Sequence, residues 1–315
     1  MRLPNIIYRV ARSLGVAQRP VFFEFPKEVD IGLTNVCNLN CSFCLNDKIQ
    51  KKRGFMEETL FRSLTGCLAD KFKLKTILGI GLFGEDTLHP KFADFLRYAS
   101  GLGIKINIST NFVEVNEAIS RAIIKSKINV VEISFYALGR EQYNQQVRRE
   151  KYDQVLKNIH LFLTMADKAG FNGEIRLRPF ENSILQAERY RKEFYERYPN
   201  LNFGDKKSKT MANWAGFLND QNMPEGAYIL APCSFPFSRM VADWDGEVRL
   251  CCDAMLAKDL AVGYVGEKRD LCDLWNSQEL NKIREKFSKI NYKDFPSCQN
   301  CYFARRYFNF RKKHN

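Results

Sequence analysis

The sequence predicts an α/β fold: a parallel sheet with covering helices, followed by a small cysteine-rich α+β module. Two observations predict it. Between residue 29 and about residue 205, short apolar runs alternate with stretches whose apolar residues recur at helical spacing, the pattern of a parallel sheet. Beyond residue 230 the cysteines gather in short motifs, and Asp245-Gly246 separates two short apolar runs, the pattern of a hairpin. The 315 residues suffice for one large core with an appendage. A hydrophobic share of 45% and an aromatic share of 13% exclude a disordered chain.

Residues 1–28 form a leader. Ile6, Ile7, Val10 and Leu14 lie at helical spacing among Arg2, Arg9, Arg12 and Arg19, which predicts a short amphipathic helix. It is read as packed on the next domain, in preference to lying on a membrane surface. The arginines exclude a signal-peptide core, and no apolar run approaches the ~20 residues of a membrane helix. Residues 29–205 are the sheet domain. Its strands are predicted at 29–33, 76–82, 105–109, 129–135 and 173–178, and its helices near 57–72, 90–102, 116–125, 152–169 and 183–198. Pro90 suits a first helical position and Gly103 a helix end. Residues 206–230 are polar and broken by Gly216, Pro224 and Gly226, a linker. Residues 231–315 form the cysteine-rich module, with a hairpin over 241–250 and a helix over 278–287.

The chemistry is concentrated in cysteines. Cys37, Cys41 and Cys44 follow the first strand, with three and then two residues between them. Such spacings on a loop let several thiolates point at one centre, as iron–sulfur clusters and zinc sites both require. A zinc site completed by a distant histidine competes, but the chain has only three His. In the module stand Cys233, Cys251, Cys252, Cys298 and Cys301, for which a zinc ribbon is the rival. Ten cysteines clustered in short motifs point to metal rather than to secretion, and place the protein in a reducing cytoplasm.

The first spacing, with aromatic Phe43 before its last cysteine, resembles the signature of the radical S-adenosylmethionine (radical SAM) superfamily. The resemblance implies a partial (β/α)6 TIM-like barrel with its site at the C-terminal ends of the strands. It implies a [4Fe–4S] cluster on Cys37, Cys41 and Cys44, with SAM on the fourth iron. One electron would split the sulfonium and free a 5′-deoxyadenosyl radical, which takes hydrogen from an unactivated carbon. The cofactor carries that chemistry; the protein positions it. Phe43 is expected beside the cofactor. Gly84-Glu85-Asp86 resembles the family's Gly-Glu-Pro motif, whose backbone oxygens accept the methionine amino group; Asp86 replaces the usual Pro. Ser109 and Asn111, at the end of the third strand, are expected near the ribose of SAM. Ser134 belongs with Glu132 to a polar stripe in the lumen. Arg178 is expected to reach the SAM carboxylate or an anionic substrate.

The order of Cys233, Gly246, Cys251 and Cys298-Gln299-Asn300-Cys301 resembles the SPASM extension and its half form, twitch. Tyr307 and Arg311 stand where the full form would have more cysteines. The resemblance thus implies one auxiliary [4Fe–4S] cluster on Cys233, Cys251, Cys298 and Cys301, two clusters in all. Cys252 stays an alternative to Cys251. Cys67 and Cys272 read as ordinary thiols, although Cys252 or Cys272 as a hydrogen-atom donor stays open.

The formal charge of +13 is spread along the chain, with small clusters at 206–209 and 311–313. It is read as a solvated surface in preference to a nucleic-acid face. Three functions follow. The first is a radical SAM oxidoreductase acting on a sugar, aminocyclitol or nucleotide-linked sugar, with the auxiliary cluster as electron acceptor. Second comes modification of a ribosomally made peptide by thioether formation, epimerisation or cross-linking. The third is a non-catalytic iron–sulfur or zinc protein that binds nucleic acid. Either enzyme would need a reductant such as flavodoxin or ferredoxin.

Overall fold

The computed structural model describes residues 21–179, 188–204, 228–252, 256–266, 268–299, 301 and 304–307. The expected leader helix over residues 1–20, most of the linker and part of the helix expected at 183–198 lie outside these residues. Strands β1 (Glu28–Ile31), β2 (Ile77–Ile80), β3 (Ile106–Thr110), β4 (Val130–Ile133) and β5 (Glu174–Leu177) are parallel neighbours in chain order. Helices α1 (Glu58–Gly66), α2 (Phe92–Gly101), α3 (Glu117–Lys125), α4 (Arg140–Val147) and α5 (Tyr152–Lys168) connect them. The sheet is open and TIM-like.

A sixth parallel strand comes from beyond the expected linker. After the short strand β6 (Tyr228–Leu230) and helix α6 (Phe235–Ser238), β7 (Arg239–Ala242) pairs with β1 in parallel, Glu28 opposite Arg239 and Ile31 opposite Ala242. The antiparallel strands β8 (Glu247–Arg249) and β9 (Ala261–Tyr264) extend the same sheet, giving the order β5-β4-β3-β2-β1-β7-β8-β9. Helices α7 (Leu271–Trp275), α8 (Gln278–Ser288) and α9 (Pro296–Gln299) follow, and β10 (Arg305–Tyr307) returns to β6. The hairpin that the sequence assigns to the module is thus continuous with the barrel sheet.

The period of two in each strand decides its faces. Val29, Ile31, Leu78, Ile80, Ile106, Ile108, Val131, Ile133, Ile175 and Leu177 are buried in one core with Phe61, Phe95, Ile123 and Phe162 of the helices. Phe61 and Phe95 stack at 4.2 Å. Full burial of each such side chain contributes roughly 1.5–3 kcal/mol. Asp30, Gly79, Asn107, Val130 and Glu174 share one register on the opposite face, and Ser109, Glu132 and Arg176 share the next. The inner face is therefore polar and the outer face apolar. Helix α4 escaped the sequence reading because its stretch, Arg-Glu-Gln-Tyr-Asn-Gln-Gln-Val, buries little apolar surface: Tyr143 and Val147 alone mark its inner side, with Asn144 beside them.

Candidate cofactor and active site

The first cysteine set lies on the loop after β1, at the C-terminal edge of the sheet. Neighbouring loops hold it by backbone bonds. Asn40 N and Ser42 N donate to the carbonyls of Val147 and Gln146 at 3.3 and 2.9 Å, and Glu85 N donates to Val36 O at 2.8 Å. Asn35 fastens the returning arm, donating to Lys52 O at 2.9 Å and accepting from Gly54 N at 3.0 Å. Asn46 N donates to Cys44 Sγ at 3.4 Å, while its amide reaches Asn35 O at 3.1 Å and Phe83 O. Arg53 donates to Asn46 Oδ1 at 3.0 Å. Neither Asn46 nor Arg53 was singled out in the sequence, because polar side chains that serve backbone groups leave no spacing signal.

Cys37, Cys41 and Cys44 are free thiols of intermediate exposure. Burial pushes the Cys37 thiol up to about 12 and raises Cys41 and Cys44, and the neighbouring thiolates push Cys37 and Cys41 further. Three such thiols within electrostatic reach resist ionising together unless a cation compensates them. That donor set fits a soft metal centre.

Gly84 makes the close approach possible. A Cβ there would lie 2.4 Å from Thr34 O and 2.6 Å from Val36 O. The Glu85 carboxylate accepts from Thr110 Oγ1 and Thr87 Oγ1 at 2.6 Å and from Asn111 N at 2.8 Å, tying this loop to the end of β3. Asp86 faces the end of β1. Its Oδ1 accepts from Leu33 N at 2.9 Å and Thr34 N at 3.1 Å, at the end of β1. Burial and the adjacent Glu85 push the Asp86 carboxyl well up. A ring would stiffen this turn from within; the Asp86 side chain fastens it from outside.

Asn111 donates to Asn38 Oδ1 at 2.8 Å, so the end of β3 touches the cysteine loop directly. Phe43 meets Tyr136 edge to face at 4.9 Å, and Ser134 hydrogen-bonds Tyr136. Ser109 lies on the inner face of β3. Arg178 donates through Nε to Glu132 Oε2 at 2.9 Å, and Arg176 pairs with Glu174 at 2.6 Å. The residues expected at the cofactor thus divide into three groups, of which Phe43 and Ser134 meet at Tyr136. Glu85, Asp86 and Asn111 bond to one another or to the cysteine loop and its root, against which Gly84 is pressed. Ser109 and Arg178 belong to the inner face beside it.

The second set is closed in. Cys233, Cys251, Cys298 and Cys301 are 9, 8, 7 and 5% exposed and share the main core. Burial and the thiolates of Cys233 and Cys301 raise the Cys298 thiol. Tyr292, which carried no sequence signal, accepts from Cys233 N at 3.0 Å and donates to Ala231 O at 2.6 Å. Cys252 faces elsewhere: Arg239 Nη1 is 3.8 Å from its sulfur, and it packs with Cys44 on Leu45, Phe83 and Val241. Cys67 is buried, while Cys272 is half-buried. Among the described residues no helix is long and apolar enough to cross a membrane.

Two family models match the chain. The radical SAM superfamily model matches residues 31–166, and the SPASM iron–sulfur cluster-binding domain model matches residues 233–302. The chain carries a radical SAM domain and a SPASM iron–sulfur-binding region. Its cofactors are accordingly [4Fe–4S] clusters and SAM. A GTP 3′,8-cyclase of Chlorobaculum tepidum is 27% identical over 169 residues, 52% of this chain and 50% of that protein. The tungsten-containing aldehyde ferredoxin oxidoreductase cofactor-modifying protein of Pyrococcus furiosus is 28% identical over 116 residues, 37% of this chain and 32% of that one. The chain thus spans half or less of the length of these two curated relatives. Among solved structures, BtrN in complex with AdoMet and 2-DOIA has a TM-score of 0.61 at 15% identity, covering 89% of this chain and 94% of BtrN. SuiB of Streptococcus suis bound to S-adenosylmethionine has 0.61 at 17%, covering 84% and 68%. Both likenesses concern the fold.

Proposed function

We propose that the chain is a radical SAM oxidoreductase of a polar small molecule, such as a sugar, aminocyclitol or nucleotide-linked sugar. The polar inner face carries this reading: Asp30, Asn107, Ser109, Glu132, Glu174, Arg176 and Arg178 line the sheet where a packed barrel would be apolar. Cys37, Cys41 and Cys44 would hold the first cluster. With SAM bound, it supplies one-electron cleavage of the sulfonium to a 5′-deoxyadenosyl radical. Cys233, Cys251, Cys298 and Cys301 would hold a twitch-type auxiliary cluster, which supplies an electron acceptor.

The chain's own residues do the positioning. Glu85 and Asn111 fix the loops that flank the cysteine loop. Backbone oxygens of 84–86 would receive the SAM amino group, with Ser109 and Asn111 near the ribose and Phe43 and Ser134 beside the cofactor. Arg178, held through Nε by Glu132, sets a cation on the inner face toward which an anionic or hydroxylated group would be drawn. Four thiolates leave no vacant place on the auxiliary cluster, so its substrate contact would be indirect.

A peptide substrate is the second reading, and one observation favours it. The same fold occurs in SuiB bound to the precursor peptide SuiA, at a TM-score of 0.58 over 88% of this chain and 69% of SuiB. The test is anaerobic reconstitution. About eight irons per chain are expected, four per cubane, and about four after joint replacement of Cys37, Cys41 and Cys44 by Ala. Reduced protein should release 5′-deoxyadenosine. A fully loaded chain that leaves SAM intact under strong reductant would sink the enzyme reading. Deuterium transfer into 5′-deoxyadenosine from labelled sugars or labelled peptides then decides between the substrates.

A further inference from the structure

Oxygens of Asp243, Asp245 and Glu247 lie within 4.8 Å of one another in the turn between β7 and β8, the spacing of a cation site. The chain fills that place itself. Lys51 Nζ donates to Asp243 Oδ2 at 2.9 Å, Asp245 Oδ1 at 2.6 Å and Glu247 Oε2 at 3.0 Å. All three ammonium protons are thereby engaged. The contact is largely sheltered, the four side chains being 23, 5, 24 and 12% exposed in that order. Arg249 Nη2 reaches the same Glu247 oxygen at 2.8 Å. An apolar contact backs this polar one. Gly54 lies against the Trp244 ring, where a Cβ would come within 2.3 Å of ring carbon.

What these contacts join is informative. Lys51 and Gly54 belong to the arm that leaves Cys44, the arm on which Asn46 and Arg53 hold Cys44 and Asn35. Asp243 to Glu247 form the turn into β8, which ends at Arg249, two residues before Cys251. Without Lys51, three carboxylates in a sheltered turn would repel one another. The turn and the arm would then part.

We infer that Lys51 is a positioning residue that couples the SAM-binding cysteine loop to the auxiliary module. Loading of the auxiliary site orders the turn, and Lys51 passes that order to the arm carrying Cys44. Coupling of this kind is reciprocal, so either site should feel the other. The inference rests on the assignment of the two cysteine sets under Proposed function.

The experiment uses the full chain, reconstituted anaerobically, with three readouts: iron content, SAM affinity by equilibrium dialysis, and the change that SAM causes in the electron paramagnetic resonance of the reduced protein. Lys51→Met should keep both clusters and bind SAM at least about fivefold more weakly, within the usual span of coupled sites. Its resonance should respond less to SAM. Lys51→Arg keeps the charge and should recover part of the affinity, and Asp245→Asn should weaken binding in the same direction by less. Replacing Cys298 and Cys301 by Ala should also weaken SAM binding, and adding Lys51→Met to that variant should change it by less than about twofold, since linked effects do not add. Unchanged SAM affinity in a fully loaded Lys51→Met chain, or effects that add in full, would overturn the inference alone. A wild-type chain that takes up no second cluster would overturn the assignment beneath it, and the inference with it.

Discussion

The two cysteine sites differ in what surrounds them. Cys37, Cys41 and Cys44 stand on a loop at the sheet's edge, partly exposed, in contact with polar loops from β2 and β3. Cys233, Cys251, Cys298 and Cys301 are enclosed in the main core, where the Tyr292 hydroxyl accepts from Cys233 N. Three thiols with an open side suit a centre that must admit a ligand. Four enclosed thiols suit one that must exclude it. On the proposed assignment, access alone would give one kind of metal group two tasks.

The largest test of this contrast is Cys41→Ala. It should reduce 5′-deoxyadenosine release to the background of a cluster-free control while about four irons remain on the enclosed set. Release at the wild-type rate would mean that the open site is not the reacting one. Next comes the joint replacement of Cys298 and Cys301 by Ala. SAM cleavage in the presence of substrate should persist, and label should still leave a deuterated substrate carbon, but oxidised product should not form. Circular dichroism must accompany this measurement, because metal binding also stabilises small modules. Oxidised product at the wild-type rate from a folded mutant would reduce the enclosed cluster to a structural role.

Two smaller effects sharpen the contrast at the open site. Gly84→Ala puts a methyl group against the Thr34 and Val36 carbonyls. Overpacking of this kind costs roughly 1–3 kcal/mol, read as a lower thermal midpoint together with weaker SAM binding. An unchanged midpoint would show that the two loops have room to part. The smallest effect is a pH dependence. His89 Nε2 donates to Met56 O at 2.9 Å and its Nδ1 accepts from Lys91 N at 3.0 Å, the neutral ring. Burial lowers its pKa below the ordinary 6.5. In acid the unfolded chain therefore binds the proton more readily, so the stability His89 contributes is complete above 6.5 and is lost as pH falls below it. The thermal midpoint of wild type should fall between pH 7.5 and 5.5 by more than that of His89→Gln. Equal falls would assign the effect elsewhere.

Much of the sheet was legible because its signal is local. Five apolar runs gave β1 to β5 within a few residues, and short cysteine spacings pointed to the metal chemistry. The sixth parallel strand was not legible as such. Residues 239–242 look like one arm of a hairpin, and pairing with β1 depends on contacts across the whole chain. Around the site, the roles of Asn46, Arg53 and Tyr292 stayed hidden because each serves a backbone group that any sequence possesses. The Asp86 departure was visible, but its reason, two hydrogen bonds to the end of β1, needed the fold.

The pairing of β1 with β7 also bears on how the chain is made. Arg239 binds Glu28 and Asp30 across 211 and 209 residues. A ribosome delivers β1 early and β7 late. Until β7 emerges, one edge of β1 offers unpaired backbone groups beside the apolar Val29 and Ile31, and such edges recruit other strands. The nascent protein therefore passes through a period in which β1 to β5 have no closing neighbour on that side. A chain stopped before residue 239 should remain in that condition and self-associate, a difference that size-exclusion chromatography of the truncated and full-length chains would register.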